Sequence, residues 1–318
     1  MNKRSAKVYR PAGPVSSRRQ FLATAIGGAA SLYAWPVWAI TDPKVPHSRV
    51  ALLENPRIMT DIGIVKRLLV TLFEEGLCIS LNKPSPAAAW RSILRDDDRI
   101  LVKFSLADAD RLATSEILAE VLIESLMAAG FAPARITPLE ARVHTSWSDQ
   151  LPRPAFGWTE KVYDFGSGRE QLAKALEDAT AIVNVPFLKA HRIAGMTGCL
   201  KNLSHGLIRR PALYHDNQCC PCIPDVVALP VIRGKLRLNV VNALRIIYDT
   251  RPDTARDPVD IASALVISTD PVAADTIGQT VLDAMRREKA LPPVTPEPGM
   301  VLQHRLAAAK GLGYNNPE

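Results

Sequence analysis

The chain has 318 residues, enough for one large domain or two modest ones with a sizeable buried core. Its 47% hydrophobic and 22% charged residues are ordinary for a globular protein and exclude wholesale disorder. The formal charge of +7 is concentrated at one end: residues 1–39 hold six basic residues and no acid, leaving 33 basic against 32 acidic residues elsewhere. A body that close to neutral gives no reason to expect nucleic-acid binding.

The first element in chain order is a leader. SSRRQFL, with Arg18 and Arg19 paired, is followed by the apolar, small-residue run ATAIGGAASLYAW and then by VWAITD. That order predicts a twin-arginine (Tat) signal peptide over 1–39, cleaved after Ala39. It implies the Tat translocase as a partner during export and a periplasmic or extracytoplasmic destination. The run is too short and glycine-rich for a permanent membrane span, and no later segment is long and apolar enough for one. Because this route carries folded proteins, often already loaded, it favours a bound cofactor.

The remainder, 40–318, reads as a succession of strands and helices. RVALLEN (49–55) predicts a strand, and IGIVKRLLVTLFEEG a helix ending at Gly76. RILVKFSL (99–106) predicts a strand before the helix TSEILAEVLIESLMAAG, which Thr114 or Ser115 caps and Gly130 closes. ARITPLEAR (134–142) is a further strand, LPRPAFGW a surface loop, and GREQLAKALEDA a short helix. AIVNVPFL (181–188) is a strand, 204–233 an irregular region, and KLRLNVVNAL (235–244) another strand. ALVISTD (264–270) feeds the helix PVAADTIGQTVLDAMRRE, with Asp270 as its N-cap and Pro271 in its first turn. The alternation predicts an α/β fold: an open, mostly parallel sheet with helices on both faces, either undivided or arranged as two α/β lobes around a cleft.

In such a sheet, ligands sit beyond the carboxyl ends of strands. Lys103 lies at the end of one, Lys189 and His191 follow another, and Asp275 lies in the first turns of the last helix. NVPFLKAHRIAGMTGCLKN (184–202) concentrates these groups. Gly195 and Gly198 flank Met196 and Thr197, so backbone amides can approach an anion closely. Lys189 and Lys201 supply charge, His191 supplies a group that titrates near neutrality, and His205 and His215 add imidazoles suited to a metal. The bland alternative is a solvated loop whose lysines and Asn202 point outward. The cluster QCCPCIP, with Cys219, Cys220 and Cys222, reads as a metal site, a loop disulfide or free thiols; it lacks the four-ligand spacing of a zinc or iron–sulfur motif.

VNVPFLKAHRIAGMTGCLKNLSHG resembles the signature of the DUF362 family, bacterial and archaeal proteins of unknown function. RILVKFSL with its following helix, STDPVAADTIG and the closing AAAKGLGY extend the likeness from about residue 49 onward. The resemblance implies that Lys103, Lys189, His191, Thr197, Lys201, Asn202, Asp270 and Asp275 are the recurrent polar positions. Relatives often carry a ferredoxin-like insert with two iron–sulfur motifs; this chain has no such motif, and it carries Asn242 where relatives tend to place an acid. HRIAGMTGCLK is also similar to a turn in nickel-pincer lactate racemases. That likeness implies His191 as base, Lys201 as tether of a nickel-pincer nucleotide and His215 as metal ligand, although Cys199 and Leu200 interrupt the glycine run.

Two function classes follow. One is an exported enzyme, a metal- or cofactor-dependent oxidoreductase or racemase-like isomerase. Its cleft over 189–215 binds an anionic small molecule or cofactor on Lys103, Lys189, Gly195, Thr197, Gly198, Asn202 and Asp275, with His191 and Lys201 reacting and His205 and His215 holding a metal. The other is a non-catalytic binding or assembly protein that accompanies an exported redox system. An iron–sulfur electron carrier has the least support.

Overall fold

All six predicted strands join one nine-stranded sheet. The structure, a computed structural model, describes residues 5–9, 48–250, 258–295 and 301–316; Arg18, Arg19 and Ala39 of the expected leader lie outside them. In chain order the strands are β1 (Ser5–Tyr9), β2 (Val50–Glu54), β3 (Met59–Thr60), β4 (Gly63–Ile64), β5 (Ile100–Phe104), β6 (Ile136–Leu139), β7 (Trp158–Asp164) and β8 (Arg169–Ala173). They continue with β9 (Ala181–Val185), β10 (Phe187–His191), β11 (Gly195–Thr197), β12 (Leu236–Ile247) and β13 (Val259–Ser268). The sheet runs β1-β2-β13-β12-β9-β5-β6, and β10 and β11 branch from β12. Pairing is parallel from β6 through β5 and β9 to β12, and between β12 and β10. It turns antiparallel at β12/β13, β13/β2 and β2/β1.

Strand alternation places a separate core on each face. Ala51, Leu53, Val183, Leu265 and Ile267 pack under the helices Lys66–Leu81, Pro86–Ile93 and Ser115–Ala128. Val50, Leu52, Ala264 and Val266 face the helix Pro271–Glu288 on the other side. Beside them Leu101 and Ile182 meet the helices Cys199–Ser204, Cys222–Val227 and Leu302–Ala309. Asp270 caps its helix as expected, accepting from the Val272 and Ala273 amides at 2.8 and 2.9 Å, a contact worth about 1 kcal/mol.

Four local expectations change, and one is the irregular region expected over 204–233, which holds the short helices Cys222–Val227 and Pro230–Arg233. The first long helix does not stop at Gly76 but runs to Leu81 and closes on left-handed Asn82. Gly76 is glycine because a Cβ there would lie 2.6 Å from Leu53 Cδ1 and 2.8 Å from Ile267 Cδ1, where helix and sheet touch. GREQLAKALEDA begins as a strand: β8 pairs with β7 in a hairpin, and only Ala175–Asp178 is helical. Tertiary pairing that buries Glu170 and Leu172 overrides the local helical preference. Thr114 occupies the N-cap position, but its hydroxyl accepts from Asn242 Nδ2 at 2.9 Å instead of capping. No helix among the described residues is long and apolar enough to cross a membrane.

Candidate functional site

The segment NVPFLKAHRIAGMT is a strand broken at Pro186 and then a tight hairpin. β9 and β10 both run parallel to the long β12. β10 folds back on β11 with Lys189 opposite Thr197 and His191 opposite Gly195. Gly195 has a φ of 78°, a left-handed conformation glycine adopts freely, and a Cβ there would press on Val301 Cγ1 at 2.5 Å. Gly198 leads directly into the helix Cys199–Ser204. The anion held by the amides that follow is the protein's own: Asp275 accepts from Cys199 N at 2.5 Å and Leu200 N at 2.9 Å. A Cβ at Gly198 would collide with that carboxylate. Burial raises the Asp275 carboxyl to about 6, although the two amides oppose the shift.

Behind the hairpin lies a closed polar network. Lys103 Nζ is fully buried and donates to the Phe104 carbonyl at 2.5 Å, Glu140 Oε2 at 2.8 Å and Asn202 Oδ1 at 3.0 Å. Three donors meet three acceptors. Asn202 Nδ2 donates to Asn184 Oδ1 at 2.8 Å, and Asn184 Nδ2 donates to Asn239 Oδ1 at 2.9 Å. Register explains the alignment, since Lys103 lies opposite Asn184, and Asn184 opposite Asn239. Burial pushes the Lys103 ammonium below its usual range and Glu140 pulls it back.

In front of the hairpin the groups converge without closing. His191 and His215 stack with ring centres 5.5 Å apart, and His205 meets His215 edge-on at 5.0 Å. Cys219 joins them: one ligand atom each of His205, His215 and Cys219 lie within 4.8 Å of one another, a group that could hold a metal ion. Pro211 O lies 3.0 Å from His215 Nδ1 and Tyr214 O lies 3.1 Å from His205 Nε2. Each carbonyl takes one ring proton, so one nitrogen of each ring keeps its lone pair. His191 Nδ1 accepts from the Ile193 and Ala194 amides at 3.2 and 3.0 Å. Its neutral ring therefore carries the proton on Nε2.

Burial, then the cations Lys201, Lys189 and Arg192 and the His215 ring, lowers His191 to about 3 and keeps it neutral. Burial and Lys201 do the same to His205, also to about 3. Lys201 Nζ has no hydrogen-bond partner among the described residues although the side chain is buried. Burial and the neighbouring Lys189 push the amine below the usual lysine range, with the Cys219 and Cys222 thiols opposing. Lys189 pairs with the Asp108 carboxylate and donates to Ala107 O at 3.3 Å. Above these groups opens a cavity of about 380 Å³ lined by Asp108, Arg111, Lys189, His191, Arg192 and His215.

The structure thus brings Lys189, His191, Lys201, His205 and His215 close together, with Lys189, His191 and His215 lining the cavity. It sets Lys103, Asn202, Gly198 and Asp275 behind it as paired support, with Gly195 and Thr197 in the hairpin between. Asn242 is buried support too, bonded to Thr114. All five cysteines are free thiols. Sequence reasoning did not place Cys219 with the histidines, because QCCPCIP has no metal-ligand spacing and the contact depends on how 205–219 folds back. Arg192 sits inside the quoted motif yet was passed over. Arg111, eighty residues earlier in the chain, carried no local signal.

No curated protein matches the chain. RILVKFSL and AAAKGLGY, which carried part of the expected likeness, flank the matched segment. Residues 158–280, which contain the hairpin, the three histidines, Lys201 and Cys219, match the family model described as "Domain of unknown function (DUF362)", and over that segment the chain is similar to this family.

Proposed function

We propose that the chain is an exported enzyme that binds a small carboxylate- or phosphate-bearing molecule in the cavity over His191 and moves a proton with Lys201. One observation carries the reading: the Lys201 amine, without a hydrogen-bond partner among the described residues, lies close to His191, which lines a cavity rimmed by cations. Arg192 is exposed at that rim and has no partner among the described residues, so it is free to fork onto an anion. His191 offers Nε2–H to an oxygen of the bound molecule. This makes His191 a donor and leaves Lys201, its charge disfavoured by burial, as the proton acceptor. Export rests on Arg18 and Arg19; replacing both by lysine should stop transport of a reporter fused after residue 39.

The test is calorimetric titration of the purified chain with phosphate and with mono- and dicarboxylates, followed by NMR of the bound acid in deuterated water. Arg192→Gln should weaken binding about tenfold, since a charge-assisted hydrogen bond is worth about 1.5 kcal/mol or more. Lys201→Met should keep binding and abolish exchange of hydrogen at the carbon next to the anion. Binding without exchange in the unaltered chain would instead favour a non-catalytic binding or assembly protein. Extra mass on Lys201 in the intact protein would favour a tethered cofactor such as a nickel-pincer nucleotide.

A further inference from the structure

We propose that His205, His215 and Cys219 are the three protein ligands of a borderline-soft transition metal of the zinc class, in a site that keeps a fourth position open. The inference deepens the cleft reading above by naming what lies under it. Two imidazoles and a thiol within 4.8 Å supply the nitrogen and sulfur donor types, and the count of three, that open zinc sites use. The same donors exclude magnesium and calcium, which require oxygen ligands.

Two further observations point the same way. Both rings are oriented through backbone carbonyls, His215 by Pro211 O at 3.0 Å and His205 by Tyr214 O at 3.1 Å, which is the outer-shell arrangement that fixes a ligating imidazole. Ser204 Oγ, 3.3 Å from His205 Nδ1, has Lys201 O at 3.3 Å as another acceptor, so the ring does not depend on it. The thiol is presented by a strained turn. Asn217, Gln218 and Cys219 have φ of 46°, 56° and 60°, three consecutive non-glycine residues in the left-handed region. A left-handed residue costs about 1–2 kcal/mol, and such strain is retained where the surroundings fix it for a purpose. Asn217 locks the turn through Nδ2 to Cys220 O and its carbonyl to Cys220 N, each 3.0 Å. The result is a fully buried Cys219 whose thiol has, among the described residues, one hydrogen-bond acceptor, His215 O at 3.9 Å.

The experiment uses the full chain, reduced and stripped with a chelator, then titrated with cobalt(II) and, in competition, zinc(II). The expected result is one equivalent bound, with a thiolate-to-cobalt charge-transfer band that zinc removes. Cys219→Ser should abolish the band, and His205→Ala and His215→Ala should each weaken cobalt binding by at least about a hundredfold, the upper range for losing an outer-shell partner alone. Cys78→Ser, on the remote first helix, and Cys222→Ser should keep the band; circular dichroism of every variant separates lost ligation from lost folding. A band that survives Cys219→Ser, or cobalt binding indifferent to both histidines, overturns the site. Phosphate and carboxylate titration of the metal-free chain is run alongside. Anion binding sensitive to Arg192 with no metal bound sinks the metal site and leaves the cleft standing. Metal bound with anion binding indifferent to Arg192 does the reverse.

Discussion

Two groups of buried polar residues lie on either side of the same hairpin, and they differ in how they end. The inner group, Lys103, Glu140, Asn202, Asn184 and Asn239, is closed: every lysine proton has an acceptor and each amide hands on to the next. The outer group, His191, Lys201, His205, His215 and Cys219, is open: an amine has no partner among the described residues and imidazole lone pairs face one another. Both contain a buried lysine with a lowered pKa, so burial and titration do not tell them apart. Satisfaction does. A closed network stabilises a unique core, whereas an open one is a cost to folding that a ligand removes.

The lysine pair tests that distinction with the largest effect. Lys103→Met strips partners from Glu140, Asn202 and the Phe104 carbonyl at once and should cost about 3 kcal/mol, as breaking a buried ion pair does. Lys201→Met removes an amine with no partner and replaces it with a shape-matched apolar chain, so stability should stay within about 1 kcal/mol or rise. Urea unfolding of the two variants side by side is the check. Equal losses would erase the contrast between the two regions.

Asp275 comes next. It stands on the closed side although its position in the first turns of a helix suggested the cleft. Asp275→Ala orphans the Cys199 and Leu200 amides and should cost about 2 kcal/mol. Because these amides start the helix that carries Lys201, the variant should also weaken anion binding without removing any group that faces the cavity. Unfolding curves and the phosphate titration together decide whether Asp275 acts as support. A variant of unchanged stability with lost binding would make it a direct ligand instead.

How far the sequence revealed each region follows from the range of the contacts. The strands were legible because short continuous apolar runs such as ALVIS and VALLE mark strands of a sheet covered on both faces, without reference to partners. Five of the cleft groups fell within 27 residues of chain and could be seen together for that reason. Their division into open and closed could not be seen. Whether a lysine is satisfied depends on Glu140, 37 residues from Lys103, and on Asn202, 99 residues away. The β7/β8 hairpin was missed because GREQLAKALEDA has the residues of a helix, and only its partner strand shows otherwise.

The smallest effect, and the finest test, is in acid. His191, His205 and His304 are all held to about 3 by burial, below the ordinary 6.5. The unfolded chain therefore binds more protons than the folded one between those values, and stability falls as pH falls through the window. Asp275 runs the other way: raised to about 6 from 3.8, it gives the folded state the extra proton, so its contribution falls as pH rises towards 6. Three histidines outweigh one carboxyl, and the net slope near pH 5 should be about two protons taken up on unfolding. His191→Gln should reduce that uptake by about one, read from unfolding free energies at closely spaced pH values. The reduction is expected because the Ile193 and Ala194 amides hold Nδ1 as an acceptor and a protonated ring would lose both bonds. If the slope is unchanged, His191 is protonated in the folded protein near pH 5, and its assignment as the neutral donor of the open region fails.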